Sequence, residues 1–185
     1  MLKINYEDKS YSIKNSLEEL LIKDYEKIAS ILNNEDKLTV DKWSEVMVYL
    51  GVPQDIVDDF DAFAFRDIIK QFNIIDINKS EILPTINVDG KEYVAFEETF
   101  KLTVKELALI EKVAQKNKDM WVGDVMAIIY KNPDVDKNMR YDNAHLKYKA
   151  ELIRENVTAD KSLPIIDYLS KRLIKDYEMI TEDNG

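Results

Sequence analysis

The 185-residue chain has no cysteine, one histidine, four glycines and four prolines. Without cysteine there is no disulfide, no thiolate nucleophile and no thiolate metal site. The single histidine, His145, excludes a multi-histidine metal centre and leaves a Ser-His-Asp arrangement without support. In the polar helix start Tyr141–Lys147 it reads as a structural or surface residue. The four glycines are scattered, so neither common phosphate-cradling loop is present. No apolar run approaches the roughly 20 residues of a membrane helix. The opening MLKINYEDKS lacks the apolar stretch of a secretion signal. These absences point away from an enzyme, and toward a soluble cytoplasmic protein with no cofactor and no metal.

What the chain has is charge, unevenly placed. Of the net −10, residues 1–84 carry 10 basic and 17 acidic side chains (−7), and residues 85–185 carry 16 and 19 (−3). Duplex nucleic acid is bound chiefly by Lys and Arg neutralising phosphates. Here the densest basic stretches, Lys147–Lys149 and Lys171–Lys175, belong to helix patterns mixed with Glu and Asp. They read as solvated helix faces, and nucleic acid is not the expected partner.

Two segments share a strand–turn–strand pattern. In INYEDKSYSIK, Ile4, Tyr6, Tyr11 and Ile13 alternate with polar residues around Glu7-Asp8-Lys9. In INVDGKEYVAF, Asp89-Gly90 supplies the positive φ of a tight hairpin turn. Ile4, Lys9 and Tyr11 align with Ile86, Lys91 and Tyr93 at an offset of 82 residues. The following helices align at 85, with Glu26-Lys27-Ile28-Ala29 matching Glu111-Lys112-Val113-Ala114. Each helix is predicted to open with a capping box, Ser16-x-x-Glu19 and Thr103-x-x-Glu106. Two equivalent units follow as an expectation, 1–84 and 85–185, either as separate halves or as one integrated domain.

Between and after the hairpins the spacing is helical. Trp43, Val46, Met47 and Leu50 mark one helix, stopped by Gly51-Val52-Pro53, and Phe65, Ile68, Ile69 and Phe72 mark another. Residues 73–85 read as a connector. Trp121–Tyr130 is a nearly all-apolar helix that belongs in a core, broken by Asn132-Pro133. A further helix is predicted over Tyr141–Asn156 and a last one after Pro164, with TEDNG as a frayed end. LIKDYE occurs at Leu21–Glu26 and Leu173–Glu178, which helical composition alone accounts for. The predicted fold is α+β and predominantly helical, its two hairpin–helix units joined in one small antiparallel sheet or standing apart.

Three acidic or aromatic stretches invite a functional reading. Asp134-x-Asp136-x-Asn138 begins like a calcium loop, but Met139 stands where the sharp turn needs Gly and His145 where a bidentate Glu belongs. Asp58, Asp59 and Asp61 lack the framed partners of a two-carboxylate site and suit a helix N-terminus. Phe60, Phe63 and Phe65 crowd the same stretch and do not fit one helix face. Phe65 follows the buried stripe, and Phe60 or Phe63, if exposed, marks a partner site. An open hairpin edge, or the apolar face of the last helix with Leu169, Leu173 and Tyr177, is the other candidate docking surface.

The segments VDGKEYVAF leading into LTVKELALIEKV, LTVDKWSEVMVYLGVP, and VMAIIYKNPDVDKNMRYDNAHLKYKAELIRENVTADKSLPIIDYL together give a pattern that resembles bacteriophage tail assembly chaperones. The likeness spans most of the chain and lies in pattern rather than in an invariant signature. It implies a non-enzymatic protein of the host cytoplasm that holds tail components, tape-measure or tube protein, during virion assembly. It carries no catalytic residue with it. The alternatives are a structural virion component and a small phage protein that binds a host factor.

Overall fold

In the computed structural model, residues 1–74, 81–95, 102–116, 121–136, 139 and 141–182 are described, with side chains up to residue 171. The predicted loop position Asn138, the centre of the connector (75–80) and residues 183–185 lie outside them, as do the side chains of Leu173 and Tyr177. The fold is α+β and predominantly helical, with nine helices and two antiparallel two-stranded sheets among the described residues.

Strands β1 (Leu2–Tyr6) and β2 (Lys9–Ile13) form the first hairpin, closed by the two-residue loop Glu7-Asp8, since Tyr6 pairs with Lys9. Lys9 is therefore strand rather than turn. Glu7 adopts φ 50°, a left-handed conformation that is costly for a residue with a Cβ. The alternation predicted from Ile4 and Ile13 places both in a core, at 3% and 1% exposure. That core is completed by helices α2 (Thr39–Tyr49), α3 (Gln54–Asp58) and α4 (Ala62–Ile69), through Met47, Ile56, Val57 and Phe65. Asp61 caps α4, its carboxylate accepting from the backbone N–H groups of Phe63 and Ala64 at 2.9 and 3.1 Å. Tyr6 adds an edge-on ring contact to Phe60 and a phenol hydrogen bond to Asp59, which pushes the phenol up to about 12.

The second hairpin pairs β3 (Thr85–Val88) with β4 (Lys91–Val94). Ile86 faces Tyr93 as Ile4 faces Tyr11, so the 82-residue match holds at the level of register. Asp89 and Gly90, at φ 51° and 72°, make the expected turn. The two hairpins do not join in one sheet. Each buries its apolar face on helices, and Val94 exchanges backbone hydrogen bonds of 2.8 and 2.9 Å with Lys131, which occupies the end of β4.

Around the second hairpin stand α5 (Val104–Lys116), α6 (Val122–Ile129), the short α7 (Pro133–Asp136), α8 (Asn143–Asn156) and α9 (Ala159–Glu182). Helix α6 is buried along its length apart from Asp124, as its composition requires. Helix α9 begins five residues before Pro164, which lies inside it. Its entry is fixed from outside: Ala159 N–H donates to Leu20 O and Ile22 N–H to Val157 O, at 2.8 and 2.9 Å.

These two bonds are made by Leu20, just before α1 (Ile22–Leu32), and by Ile22, its first residue, and α1 packs on both halves. Ile22 packs in the same core as Val122, Ile153 and Ile165. Leu20, Ile28 and Ile31 pack with Ala159 and Leu163 of α9. The predicted cap at Ser16 fails, because Ser16 opens a turn, with Glu19 and Leu20 N–H donating to its carbonyl. Helix α1 starts five residues after the predicted one, and Leu21 N–H donates to the Asp24 carboxylate at 3.3 Å. The Thr103–Glu106 box does form, Thr103 N–H donating to Glu106 Oε2 at 2.9 Å.

Candidate functional site

Helices α5, α6 and α8 leave an open cleft of about 270 Å³ between them. Its floor is apolar, from Leu109 and Val113 of α5, Ile128 of α6 and Leu146 of α8. Leu109 and Val113 recur on α5 at i, i+4 spacing, which stacks them on one face. Lys112 and Lys116 repeat the same spacing on the flank, and Lys147 faces them from α8. All three lysines are exposed, and none has an ion-pair partner among the described residues. Asp124 is the acidic residue of the lining, and it is committed elsewhere, accepting from Arg154 Nη2 at 2.5 Å.

Arg154 continues from this wall into the interior. Its Nε donates to Glu26 Oε2 at 2.7 Å and its Nη1 to Glu151 at 2.8 Å. Glu26, on α1, is 0% exposed, and its other oxygen accepts from Gly123 N–H at 2.9 Å. A carboxylate thus caps the first turn of α6 from a different element, where the helix dipole favours negative charge. Burial alone would lower the Arg154 guanidinium. The hydrogen bond and charge of Glu26, with Asp124, outweigh it and raise the group above its ordinary value. Gly123 is required for space: a Cβ there would lie 2.6 Å from Arg154 Cγ.

Two further clusters hold buried charges outside the cleft lining. Asp136 accepts from His145 Nε2 at 2.5 Å, Lys149 Nζ at 2.9 Å and Asn132 N–H at 2.8 Å. Burial alone would raise the Asp136 carboxyl, but these donors hold it below the usual carboxylate range. Lys149 also donates to Tyr130 O at 3.2 Å, and its burial pulls it below the ordinary lysine range in spite of Asp136. Glu106 receives Thr103 on one oxygen and Lys131, at 2.5 Å, on the other. In Glu26, Glu106 and Asp136 alike, both carboxylate oxygens are used by the protein itself. These clusters join elements together. No group of three or more metal-ligating side chains occurs among the described residues.

The residues singled out in sequence fall in different places. Phe63 is 68% exposed on α4, with the Arg66 guanidinium 5.5 Å from its ring centroid. Phe60 is half-buried beside Tyr6, and Phe65 is in the core. Leu169 is not on an open face: at 4% exposure it packs in the core around α6. Leu173 and Tyr177, on the same helix, have side chains outside the described residues. His145 is half-buried on α8, its Nε2 held by Asp136. The cleft was not anticipated, although the paired spacing Leu109/Val113 beside Lys112/Lys116 was its visible signal. Comparison with family models, curated proteins and solved structures finds no match for this chain.

Proposed function

We propose that this chain is a non-enzymatic binding protein of the bacteriophage tail assembly chaperone type, holding tape-measure or tube protein in the cytoplasm of the infected cell. The observation that carries the reading is the lysine-flanked apolar cleft of α5, α6 and α8. An apolar floor with charged edges suits a segment of another protein that presents apolar side chains with acidic neighbours. The buried carboxylates are consumed in fixing the helices that frame it, which suits a rigid docking surface.

The test is co-expression with the tape-measure and tube proteins encoded by the same phage. The reading expects one of them to become soluble and to co-purify, and expects Val113→Asp to abolish that capture. It falls if both proteins are equally insoluble with and without this chain and neither co-purifies. Mass spectrometry of purified virions separates the chaperone, which leaves the particle, from a structural component present in fixed copy number.

A further inference from the structure

The surface carries a counterpart to the cleft. Between Gln54 and Lys70 there are five aspartates, Asp55, Asp58, Asp59, Asp61 and Asp67, all exposed, against Arg66 and Lys70, a local balance of −3. From the middle of this acidic surface projects Phe63, 68% exposed at the first turn of α4. The cleft shows the inverse: an apolar recess with three lysines free of ion-pair partners among the described residues, and its aspartate neutralised by Arg154. A cavity of roughly 150 Å³ accommodates benzene, so a cleft of about 270 Å³ has room for a phenylalanine ring. Phe63 is exposed while the cleft is open, so the two are not joined within one chain. Helix α4 belongs to the first-hairpin core and the cleft to the second.

We infer that a second copy of this chain occupies the cleft, placing Phe63 in the apolar recess with its aspartates against Lys112, Lys116 and Lys147. The contact is head-to-tail: each copy offers a different surface to each neighbour, so association proceeds past the dimer unless a ring closes. Its charged edges make it salt-sensitive, and its single aromatic anchor makes Phe63 the residue on which it depends. The inference requires no foreign partner; because the cleft admits one occupant at a time, a foreign segment held there displaces the second copy.

Sedimentation equilibrium of the purified chain tests it. The expected result is a weight-average mass that rises with protein concentration and falls back toward monomer at about 0.5 M salt. Phe63→Ala weakens the association about tenfold or more, and so does the double charge reversal Lys112→Glu/Lys147→Glu. All of these positions are exposed, and circular dichroism of each variant verifies the fold. The decisive sample is a mixture of Phe63→Asp, which keeps its cleft, with Lys112→Glu/Lys147→Glu, which keeps its aromatic knob. Each alone is monomeric, and together they form a one-to-one dimer that grows no further. An inert mixture, or variants that associate like the wild type, overturns the inference. A wild-type chain that stays monomeric, while Lys112→Glu loses capture of the tail protein, overturns it too and gives the cleft to the foreign partner.

Discussion

Replacing Arg154 by alanine is expected to cost about 3–5 kcal/mol, because it strands a fully buried carboxylate. The contributions of Glu26, Asp124 and Glu151 differ. Glu151 is 70% exposed, and its pair contributes close to nothing after solvent screening. Asp124 is 23% exposed and accounts for about 1 kcal/mol at most. Glu26 is 0% exposed, and leaving it charged without Arg154 accounts for nearly all the loss. Gly123 N–H continues to donate to it, which offsets only one of the two hydrogen bonds. The assay is urea unfolding at neutral pH followed by fluorescence of Trp43 and Trp121, one in each half. With a slope of roughly 2 kcal/mol per molar urea, the midpoint falls by about 2 M. Both tryptophans report the same shift, because Glu26 and Arg154 belong to different halves of one packed structure. Glu26→Leu/Arg154→Met removes the buried pair, leaving the Gly123 N–H unpaired and the partly exposed Asp124 and exposed Glu151 to solvent, and costs about 1–3 kcal/mol, less than the single change. A single variant within about 1 kcal/mol of wild type refutes the reasoning, as does a double variant that is no better than the single.

Gly123→Ala drives a methyl group into the Arg154 stem; a loss of about 1–3 kcal/mol is expected, and most of it vanishes in the Arg154→Ala background, which lacks the Cγ that the methyl would meet. Asp136 is held below its ordinary value, so its contribution to stability is complete above the unfolded aspartate value of about 3.9 and is lost as pH falls through the folded one. Asp136→Asn therefore flattens the acid limb of the stability profile and costs about 2–4 kcal/mol at neutral pH by urea titration; an unchanged acid limb contradicts this. Glu7→Gly relieves a left-handed residue in the first hairpin loop and is expected to raise stability by about 0.5–1 kcal/mol, read as a higher thermal midpoint. Leu169→Ala costs about 2–4 kcal/mol and Phe63→Ala less than about 0.5 in the same titration, as their opposite exposures require.

What was legible in the sequence was whatever depends on neighbours along the chain. Alternation placed Ile4, Ile13, Ile86 and Tyr93 on buried faces, and the apolar run of α6 announced a core helix. Asp89-Gly90 gave its turn, and Thr103 and Glu106 gave their box. The misreadings arise where a distant segment decides the local outcome. Ser16 has capping chemistry, but Asn73 bridges to it and the chain turns there instead. Pro164 looks like a helix boundary, yet bonds to Leu20 and from Ile22 fix the start of α9 earlier. Leu169 has the spacing of an apolar face, and only the packing of α6 beneath it says which way that face looks. The cleft is of the same kind: its spacing on α5 is local, but its opposite wall comes from α8, a separate helix beyond α6 and α7.

The contact between Glu26 and Arg154 spans 128 residues, and this sets an order of events during synthesis. At about 5–20 residues per second, α1 leaves the ribosome roughly 6–25 seconds before its partner on α8 exists. Through that interval Ile22 and Glu26 have neither their apolar neighbours nor their counter-charge. The first hairpin with α2, α3 and α4 has its own core and is free to consolidate at once. The side of α1 that carries Ile28 and Ile31 has Val46 of α2 to pack on at once; the face with Ile22 and Glu26 waits, and the closing step of folding is the return of the last part of the chain onto that face. A ribosome-stalled chain ending before Asn143 should accordingly show protease cutting within Ile22–Leu32 that disappears once α8 and the start of α9 have emerged.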